Sequence, residues 1–328
     1  MCELLYVAHS LIDTKKLHVF VDAWLLVTFA ALANDSLRPP LYMVLSGVAL
    51  SGMYVLAKRY EDYGPLQLVF FRAIGTFVPT LAYLLYHKVA LLGNDRPRLM
   101  LRGVTGMASL TLFFAAVALV PITAGVALRY LSPLFAVGFV ALTLGERVRP
   151  MQWLLLALAF AGVLLIKGFD PRVAGLGLAL ILASSLLDGV TFTVIRRLGT
   201  TEHPMVIVAY FTGICTLVAA LGLLLFPSQW HTITSTQDLY GLVAIGIFGL
   251  VGQIFMTIAM QTGRAALVMP VKYVEVIFVL LAGSLWLDET YGWISLVGIG
   301  LIMAANVVNV QLARRPPGAD DAVKKSAA

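Results

Sequence analysis

Long apolar stretches are the feature that most limits what this chain can fold into. Of its 328 residues, 60% are hydrophobic and only 12% are charged, whereas soluble domains are roughly 25% charged. The apolar residues gather into stretches of about 20, the length that an α-helix needs to cross the hydrocarbon of a bilayer. A helix also satisfies its own backbone hydrogen bonds where no water is present. The sequence therefore predicts an all-α membrane protein that crosses the bilayer many times.

Proline, glycine and clusters of charge divide the apolar sequence into ten predicted transmembrane helices. A further apolar stretch, residues 17–33, is short and contains Asp22, so we interpret it as an interfacial helix or a non-essential extension. The predicted spans are residues 41–57, 66–86, 100–119, 123–144, 151–167, 175–195, 204–226, 239–260, 265–287 and 291–312.

The distribution of Lys and Arg between the loops predicts the orientation of these helices, because cytoplasmic loops carry the excess. With both termini in the cytoplasm, sixteen of the 23 basic residues flank the cytoplasmic side, Arg102 among them, and four flank the outer side. The other three lie inside predicted spans: Arg72, Arg129 and Lys272. We therefore expect a multi-pass protein of the inner (plasma) membrane with cytoplasmic termini.

Two segments that lie 143 positions apart align without a gap. Residues 128–146, LRYLSPLFAVGFVALTLGE, align with residues 271–289, VKYVEVIFVLLAGSLWLDE, so that Arg129 matches Lys272 and Tyr130 matches Tyr273. This repeat divides the ten predicted helices into two copies of five. Because five is an odd number, the second copy enters the membrane upside down relative to the first. Inverted repeats of this kind are typical of secondary transporters, whose substrate sites lie between the repeats near mid-membrane.

The sequence resembles the drug/metabolite transporter superfamily, in particular bacterial proteins with two EamA domains. The resemblance rests on GPLQLVFFRAIG in the second span and on two longer runs, ALVPITAGVALRYLSPLFAVGFVALTLGERV and AMQTGRAALVMPVKYVEVIFVLLAGSLWLDE. The second copy departs from the family pattern, with Glu275-Val276 in place of Ser132-Pro133. The resemblance implies transport of a small metabolite such as an amino acid, an organic anion, a nucleobase-like compound or a cofactor precursor, without ATP.

The repeats and the composition of the ends predict four parts of the chain. An N-terminal extension covers residues 1–40, the first EamA-like repeat covers 41–168 and the second covers 175–312. Residues 313–328 are polar and rich in proline and charge near their start, so we expect a disordered cytoplasmic tail.

Five charged side chains lie well inside the predicted spans, away from the span ends, where an ionisable residue is costly and usually functional. We expect the three basic ones to face a central cavity and to bind substrate together with Tyr130 and Tyr273. Alternatively, the long basic side chains reach the nearest headgroups, and the tyrosines serve packing. Weaker candidates for the pocket are Tyr54, Gln253 and Trp286. The five charged residues are Arg72, Arg129, Asp188, Lys272 and Glu275.

The two acids are candidates for proton coupling. Lys272 and Glu275 are three residues apart on one helix face, and we expect them to pair before substrate binds. Either an anionic substrate or protonation of Glu275 then releases Lys272. Asp188 is a second candidate proton site, and its alternative role is a counter-ion for a basic residue. Glu146 and Glu289 close aligned spans on opposite sides, so we interpret each as a helix anchor or a gate acting through a neighbour such as Arg147.

Other chemistry finds little support in the sequence. The five histidines lack metal-ligand spacing, and no Walker A loop, G-x-S-x-G elbow or H-E-x-x-H motif occurs. No basic cluster on a soluble domain indicates nucleic-acid binding. We therefore expect no catalysis, metal or cofactor, and partners limited to the bilayer and an anionic small molecule.

The predicted function is secondary active transport, by alternating access, of an organic anion or a carboxylate-bearing zwitterion. The alternatives are an exporter of amino acids or of aromatic or cationic metabolites and, outside transport, a membrane scaffold. Direction, coupling ion and oligomeric state stay open.

Overall fold

The computed structural model describes residues 37–117, 128–167, 175–233, 235–286 and 293–314. Across these ranges the chain is helical, with no strand. The α-helices are α1 (Arg38–Arg59), α2 (Pro65–Tyr86), α3 (Arg96–Val117), α4 (Ser132–Leu144), α5 (Pro150–Lys167), α6 (Leu176–Leu198), α7 (Pro204–Leu225), α8 (Thr236–Thr262), α9 (Ala265–Val271), α10 (Val274–Trp286) and α11 (Trp293–Arg314). Short 3₁₀ helices cover Glu61–Tyr63, Gly199–Thr201 and Pro227–Gln229.

The membrane character of the helices follows the prediction in part. Five of the described helices are long and apolar enough to cross a bilayer: α1, α2, α6, α7 and α8. Three further apolar stretches are shorter, at Ser132–Leu144, Pro150–Leu165 and Gly300–Asn309. The count of ten spans therefore stays a prediction. The predicted interfacial segment 17–33 lies outside the described residues, as does the tail beyond Arg314.

Proline and capping residues set the helix starts where the sequence places them. Pro65 and Pro204 occupy the first turn of α2 and α7, where the missing N–H is not needed. His203 caps α7 through Nδ1, which accepts a hydrogen bond from the Met205 backbone N–H at 3.2 Å. Ser235 caps α8 in the same way, with its Oγ accepting from the Gln237 N–H at 3.1 Å.

The core lies between the two halves of the chain, residues 37–167 and 175–314, rather than within either half. Helix α1 packs on α8 and α10, α3 packs on α6, α2 packs on α7, and α5 packs on α11. Each of these pairs takes one helix from either half. A close approach joins α2 and α8, where a Cβ on Gly75 would lie 2.8 Å from the Gly246 Cα. Small residues permit this contact.

The prediction of one continuous helix over residues 265–287 was wrong, because the chain breaks between α9 and α10 at Lys272 and Tyr273. The backbone N–H groups of these two residues bond three residues back, each at 3.1 Å, which is 3₁₀ rather than α geometry. Pro270 cannot donate to the Ala266 carbonyl. The Asn309 Nδ2 of α11 donates to that carbonyl instead, at 3.1 Å.

The aligned segment of the first half is also interrupted. A turn at Tyr130 and Leu131 precedes α4, so α4 begins at Ser132 rather than continuing a helix from residue 123 as predicted. Residues 118–127 lie outside the described part of the chain. Both halves therefore interrupt a membrane helix at the position that carries the aligned tyrosine.

Candidate functional site

The two helix interruptions bring Tyr130 and Tyr273 together in the middle of the bundle. Their ring centroids lie 6.1 Å apart, and both side chains are buried. The Tyr130 hydroxyl donates a long hydrogen bond of 3.5 Å to Glu275 Oε1. The Tyr273 hydroxyl has no hydrogen-bond partner among the described residues. Side chains that the sequence alignment treats as equivalent are therefore in contact across the two halves.

Lys272 and Glu275 form the ion pair that their spacing predicts. Lys272 Nζ lies 3.0 Å from Glu275 Oε2, and the two side chains are 13% and 3% exposed. Helix α1 packs closely beside the acid, since a Cβ on Gly47 would lie 3.3 Å from the Glu275 Cα. The Ser51 Oγ contacts the Glu275 carbonyl at 3.3 Å. This pair is thus enclosed at the start of α10, with α1 against it.

Arg129 pairs with Asp188, which comes from α6 in the other half. The Arg129 Nε lies 3.1 Å from Asp188 Oδ2, with side chains 26% and 15% exposed. Ser109 Oγ of α3 donates to the second carboxylate oxygen at 2.7 Å. The guanidinium also stacks on the Phe113 ring, 4.5 Å from its centroid. Asp188 therefore has the geometry of the counter-ion, the alternative role considered for it, while its use as a proton site is untested.

Tyr54 of α1 lies near these groups. It is 38% exposed, and Glu275, Arg129, Lys272 and Arg72 are the charged residues that act on its hydroxyl. Its place in a substrate pocket stays a prediction.

Arg72 stands apart from the tyrosine pair. It lies on α2 and lines a small cavity with Thr212, Cys215 and Gln253. No hydrogen bond or ion pair engages its guanidinium within the described ranges. The structure therefore gathers six of the seven predicted site residues near the two interruptions and places Arg72 toward α7 and α8.

Arg102 is buried inside the bundle, a feature that the sequence did not predict. It was assigned to the cytoplasmic flank, but α3 begins at Arg96, so Arg102 lies about 9 Å along the helix. Its side chain is 2% exposed and its guanidinium stacks 4.3 Å from the Phe211 ring centroid. Neither Nε nor Nη1 has a hydrogen-bond partner in the described structure. Gly106, one turn along, is the nearby sequence feature that could have indicated this burial, because a Cβ there would lie 2.3 Å from Arg102 Nη1.

Helix ends from both halves are tied together at one end of the bundle. Glu146, after α4, accepts from Arg196 Nε at 2.5 Å and from the Ala265 backbone N–H at 3.1 Å. Arg264 Nη2 donates to the Arg147 carbonyl at 2.7 Å. The anchoring role expected of Glu146 is therefore present, but its partner is Arg196 rather than the neighbouring Arg147. Glu289 lies outside the described residues.

Among the described residues, no group of His, Cys, Asp and Glu is arranged to hold a metal ion. What the fold offers is a helical membrane bundle with interrupted helices and internal charges, the class of solute transporters. The family model of the EamA-like transporter family matches the chain twice, at residues 38–168 and 175–311, and the chain belongs to this family. The resemblance seen in the sequence is confirmed.

Several relatives have names that describe transport. The pseudopaline exporter CntI of Pseudomonas aeruginosa is 33% identical, over 81% of this chain and 93% of the relative. The riboflavin transporter of Rhizobium johnstonii is 28% identical, over 81% and 89%. Human solute carrier family 35 member G1 is 25% identical, over 81% and 77%. These names indicate transporters rather than enzymes.

A solved crystal structure shares the fold. Its TM-score is 0.73 at 22% sequence identity, over 86% of this chain and 99% of that chain.

Proposed function

We propose that the protein is a secondary active transporter that moves a small organic anion or a carboxylate-bearing zwitterion by alternating access. The balance of charge in the middle of the bundle carries this proposal. Two acids lie there, and each neutralises one basic residue, Asp188 at Arg129 and Glu275 at Lys272. Arg72 and Arg102 keep no acidic partner in the described part of the chain. An anionic substrate supplies the charge that these helices lack.

The Lys272–Glu275 pair provides a route to proton coupling. Both groups share one helix turn, so exchange of partners at Lys272 needs no movement of a second helix. Protonation of Glu275 removes its charge and leaves the Lys272 ammonium free for a substrate carboxylate. The Tyr130 hydroxyl, which lies 3.5 Å from Glu275 Oε1, can donate a hydrogen bond to the same substrate carboxylate. Substrate and proton would then enter the site together.

The proposal includes ten membrane spans in two inverted repeats, residues 41–168 and 175–312. It places the protein in the inner membrane, with both termini in the cytoplasm. The twofold family match supports the repeats. Their packing supports inversion, since α1 packs on α8 of the other half as α6 packs on α3. The excess of basic loop residues assigns the Glu146–Arg196 end to the cytoplasm. Release of the Glu146 contacts would open that side.

Export of amino acids or of an aromatic metabolite is the second candidate. The named activities of two relatives, pseudopaline export and riboflavin transport, favour it. The adjacent rings of Tyr130 and Tyr273 suit stacking on a planar ligand.

A thermal-shift screen in detergent tests the anionic preference. Succinate and citrate are compared with succinamide and citramide, which keep similar shapes without a carboxylate. We expect a carboxylate to raise the melting temperature of the wild-type protein, and this shift to vanish in Arg129→Ala and Lys272→Ala. Arg197→Ala, which changes an exposed arginine near the end of α6, is the matched control and should keep the shift. Equal stabilisation by amides and carboxylates would refute the anion site.

A further inference from the structure

The connection between α6 and α7 is bonded to two separate parts of the first half. Arg196 Nε donates to Glu146 Oε1, after α4, at 2.5 Å. Glu202 Oε1 accepts from the backbone N–H groups of Asn94 and Asp95, just before α3, at 2.6 and 2.5 Å. Glu202 is 2% exposed, and the proposed proton and substrate steps do not use this carboxylate. One short connection thus joins the second half to both α3 and α4.

Gln261, near the end of α8, links these two contacts to each other. Arg196 Nη1 donates to the Gln261 backbone carbonyl at 3.0 Å. The Gln261 side-chain Nε2 donates to the carbonyls of Gly199 and Glu202, the latter at 2.8 Å. Gln261 is 4% exposed, so loss of its amide would leave both carbonyls without this donor. Residues 196–202, which we call the gate segment, are therefore held as one unit.

The gate segment lies close to the Lys272–Glu275 pair. Phe192 is one turn before Arg196 on α6, and Lys272 Nζ lies 5.9 Å from the centroid of its ring. Glu146 Oε2 accepts from the Ala265 backbone N–H at the start of α9, at 3.1 Å, and Lys272 follows the end of that helix, about 10 Å further along. Helix α4 packs on both α6 and α9. Glu146 therefore bonds to both segments that lead to the ion pair.

We propose that the gate segment closes the Glu146 end of the bundle, and that Gln261 makes its contacts with Glu146 and with the residues before α3 release together. Release separates α4 from α6 and α9 and opens a path to Lys272. This inference rests on the proposed alternating access, in which one end of the bundle opens while the other stays closed.

The opposite end of the bundle is joined by a different contact between the halves. The Tyr63 hydroxyl, before α2, donates to Asp238 Oδ2 in the first turn of α8 at 2.8 Å. Asp238 and Gln261 lie at opposite ends of α8. Asp238→Asn is therefore a matched control, because it also changes a carboxylate that joins the two halves but leaves the gate segment intact.

Thr193 is a suitable reporter of opening. Gly189, Thr193 and Arg196 share one face of α6, and a Cβ on Gly189 would lie 2.6 Å from Phe135 Cβ of α4. Thr193 is 8% exposed. Thr193→Cys thus places a thiol of similar size between α4 and α6, behind the contact of Arg196 with Glu146.

The test measures how fast a charged methanethiosulfonate reagent labels Thr193→Cys in the full-length protein, purified in detergent. Labelling is read from the mass of the peptide that contains residue 193, so the native cysteines need no change. The variants added to the reporter are Glu146→Gln, Glu202→Gln and Gln261→Leu, the last two singly and together, beside Asp238→Asn. Thermal unfolding confirms that each variant is folded.

We expect labelling to accelerate about tenfold in Glu146→Gln and in Gln261→Leu, as for loss of one hydrogen bond to a charged or buried group, and to stay unchanged in Asp238→Asn. Glu202→Gln should accelerate labelling when made alone and add little to Gln261→Leu, because the two contacts are then no longer coupled. If Gln261→Leu does not fold, the comparison of Glu146→Gln with Asp238→Asn decides. Equal rates in those two variants, or an effect of Glu202→Gln that is undiminished in Gln261→Leu, would overturn the proposal.

Labelling needs no transported compound, so the gate and the proposed function are tested separately. The expected labelling together with absent carboxylate uptake would leave the gate standing and reject the proposed substrate. Carboxylate uptake together with equal labelling in all variants would leave the proposed function standing and reject the gate.

Discussion

The two helix interruptions each carry a basic residue, Arg129 or Lys272, but the acid that neutralises it comes from a different place in the chain. In the first half, Arg129 is neutralised by Asp188, which lies on α6 of the other half, 59 positions away. In the second half, Lys272 is neutralised by Glu275, three positions along its own segment. One ion pair therefore joins two helices, whereas the other lies within a single turn. The aligned positions keep a basic residue and a tyrosine but not the source of the counter-ion.

From this difference we propose distinct tasks for the two halves. An arginine stays charged inside a protein, whereas a buried lysine can lose its proton. The Arg129–Asp188 pair holds the turn before α4 against α6 without a proton step, so we propose that it links the two halves beside the substrate. The Lys272–Glu275 pair can part by protonation alone, which suits a coupling site.

Replacement of Asp188 by Asn should be the most destabilising of these changes. It leaves a half-buried Arg129 charged and without its acid, so we expect the free energy of unfolding to fall by about 2–3 kcal/mol. Thermal unfolding in detergent measures the loss, and Arg129→Gln added to Asp188→Asn should recover most of it. Asp95→Asn, which breaks the exposed Asp95–Arg98 pair, is the control at about 0–0.5 kcal/mol. Equal losses at Asp188 and Asp95 would remove the distinction.

Replacement of Asn309 by Leu tests the break in the second half. The Ala266 carbonyl would lose the donor that replaces the missing N–H of Pro270, and we expect a loss of about 1–2 kcal/mol. Asn306→Leu on the same helix is the control, because that side chain bonds only within α11 and leaves its Oδ1 without a partner. Thermal unfolding should give a clearly lower melting temperature for Asn309→Leu than for Asn306→Leu. The reverse order would show that the break does not depend on Asn309.

Glu275→Gln should cost less stability than Asp188→Asn, about 1 kcal/mol, because the amide oxygen can still accept a hydrogen bond from the Lys272 ammonium in the same turn. Its main effect should be on function. Transport measured in proteoliposomes from pH 5.5 to 8 should become independent of pH in Glu275→Gln and stay dependent on pH in Asp188→Asn. Unchanged pH dependence in Glu275→Gln would place the proton elsewhere.

The two tyrosine hydroxyls should give the smallest effects. Tyr273→Phe removes a buried hydroxyl that has no partner in the described structure, so we expect stability equal to wild type or up to about 0.5 kcal/mol higher. Tyr130→Phe removes the long contact to Glu275 and should cost up to about 0.5 kcal/mol. Thermal unfolding compares the pair. A large loss in Tyr273→Phe would mean that its hydroxyl has a partner.

The sequence predicted what depends on local pattern and on the repeat. Apolar length placed the helices, Pro65 and Pro204 placed two helix starts, and the i, i+3 spacing placed Glu275 at Lys272. A counter-ion role for Asp188 was one of two alternatives and its basic partner was not predicted, because the contact between α6 and the turn before α4 is not encoded in either segment. Burial of Arg102 was missed, since an arginine near a span end reads as a flank until its neighbour Phe211 is known. The break at Lys272 was missed because Pro270 is compensated by Asn309, 39 positions away.

Uptake into proteoliposomes measures most directly whether the protein prefers carboxylates. Succinate or citrate, whichever gives the larger thermal shift, is supplied in labelled form, beside its labelled amide without a carboxylate. Wild-type protein and Arg197→Ala should take up the carboxylate at least tenfold faster than the amide, and the preference should disappear in Arg129→Gln/Lys272→Met. Equal uptake of the two compounds by wild type, or a preference that survives in the double variant, would contradict an anion site between the two halves.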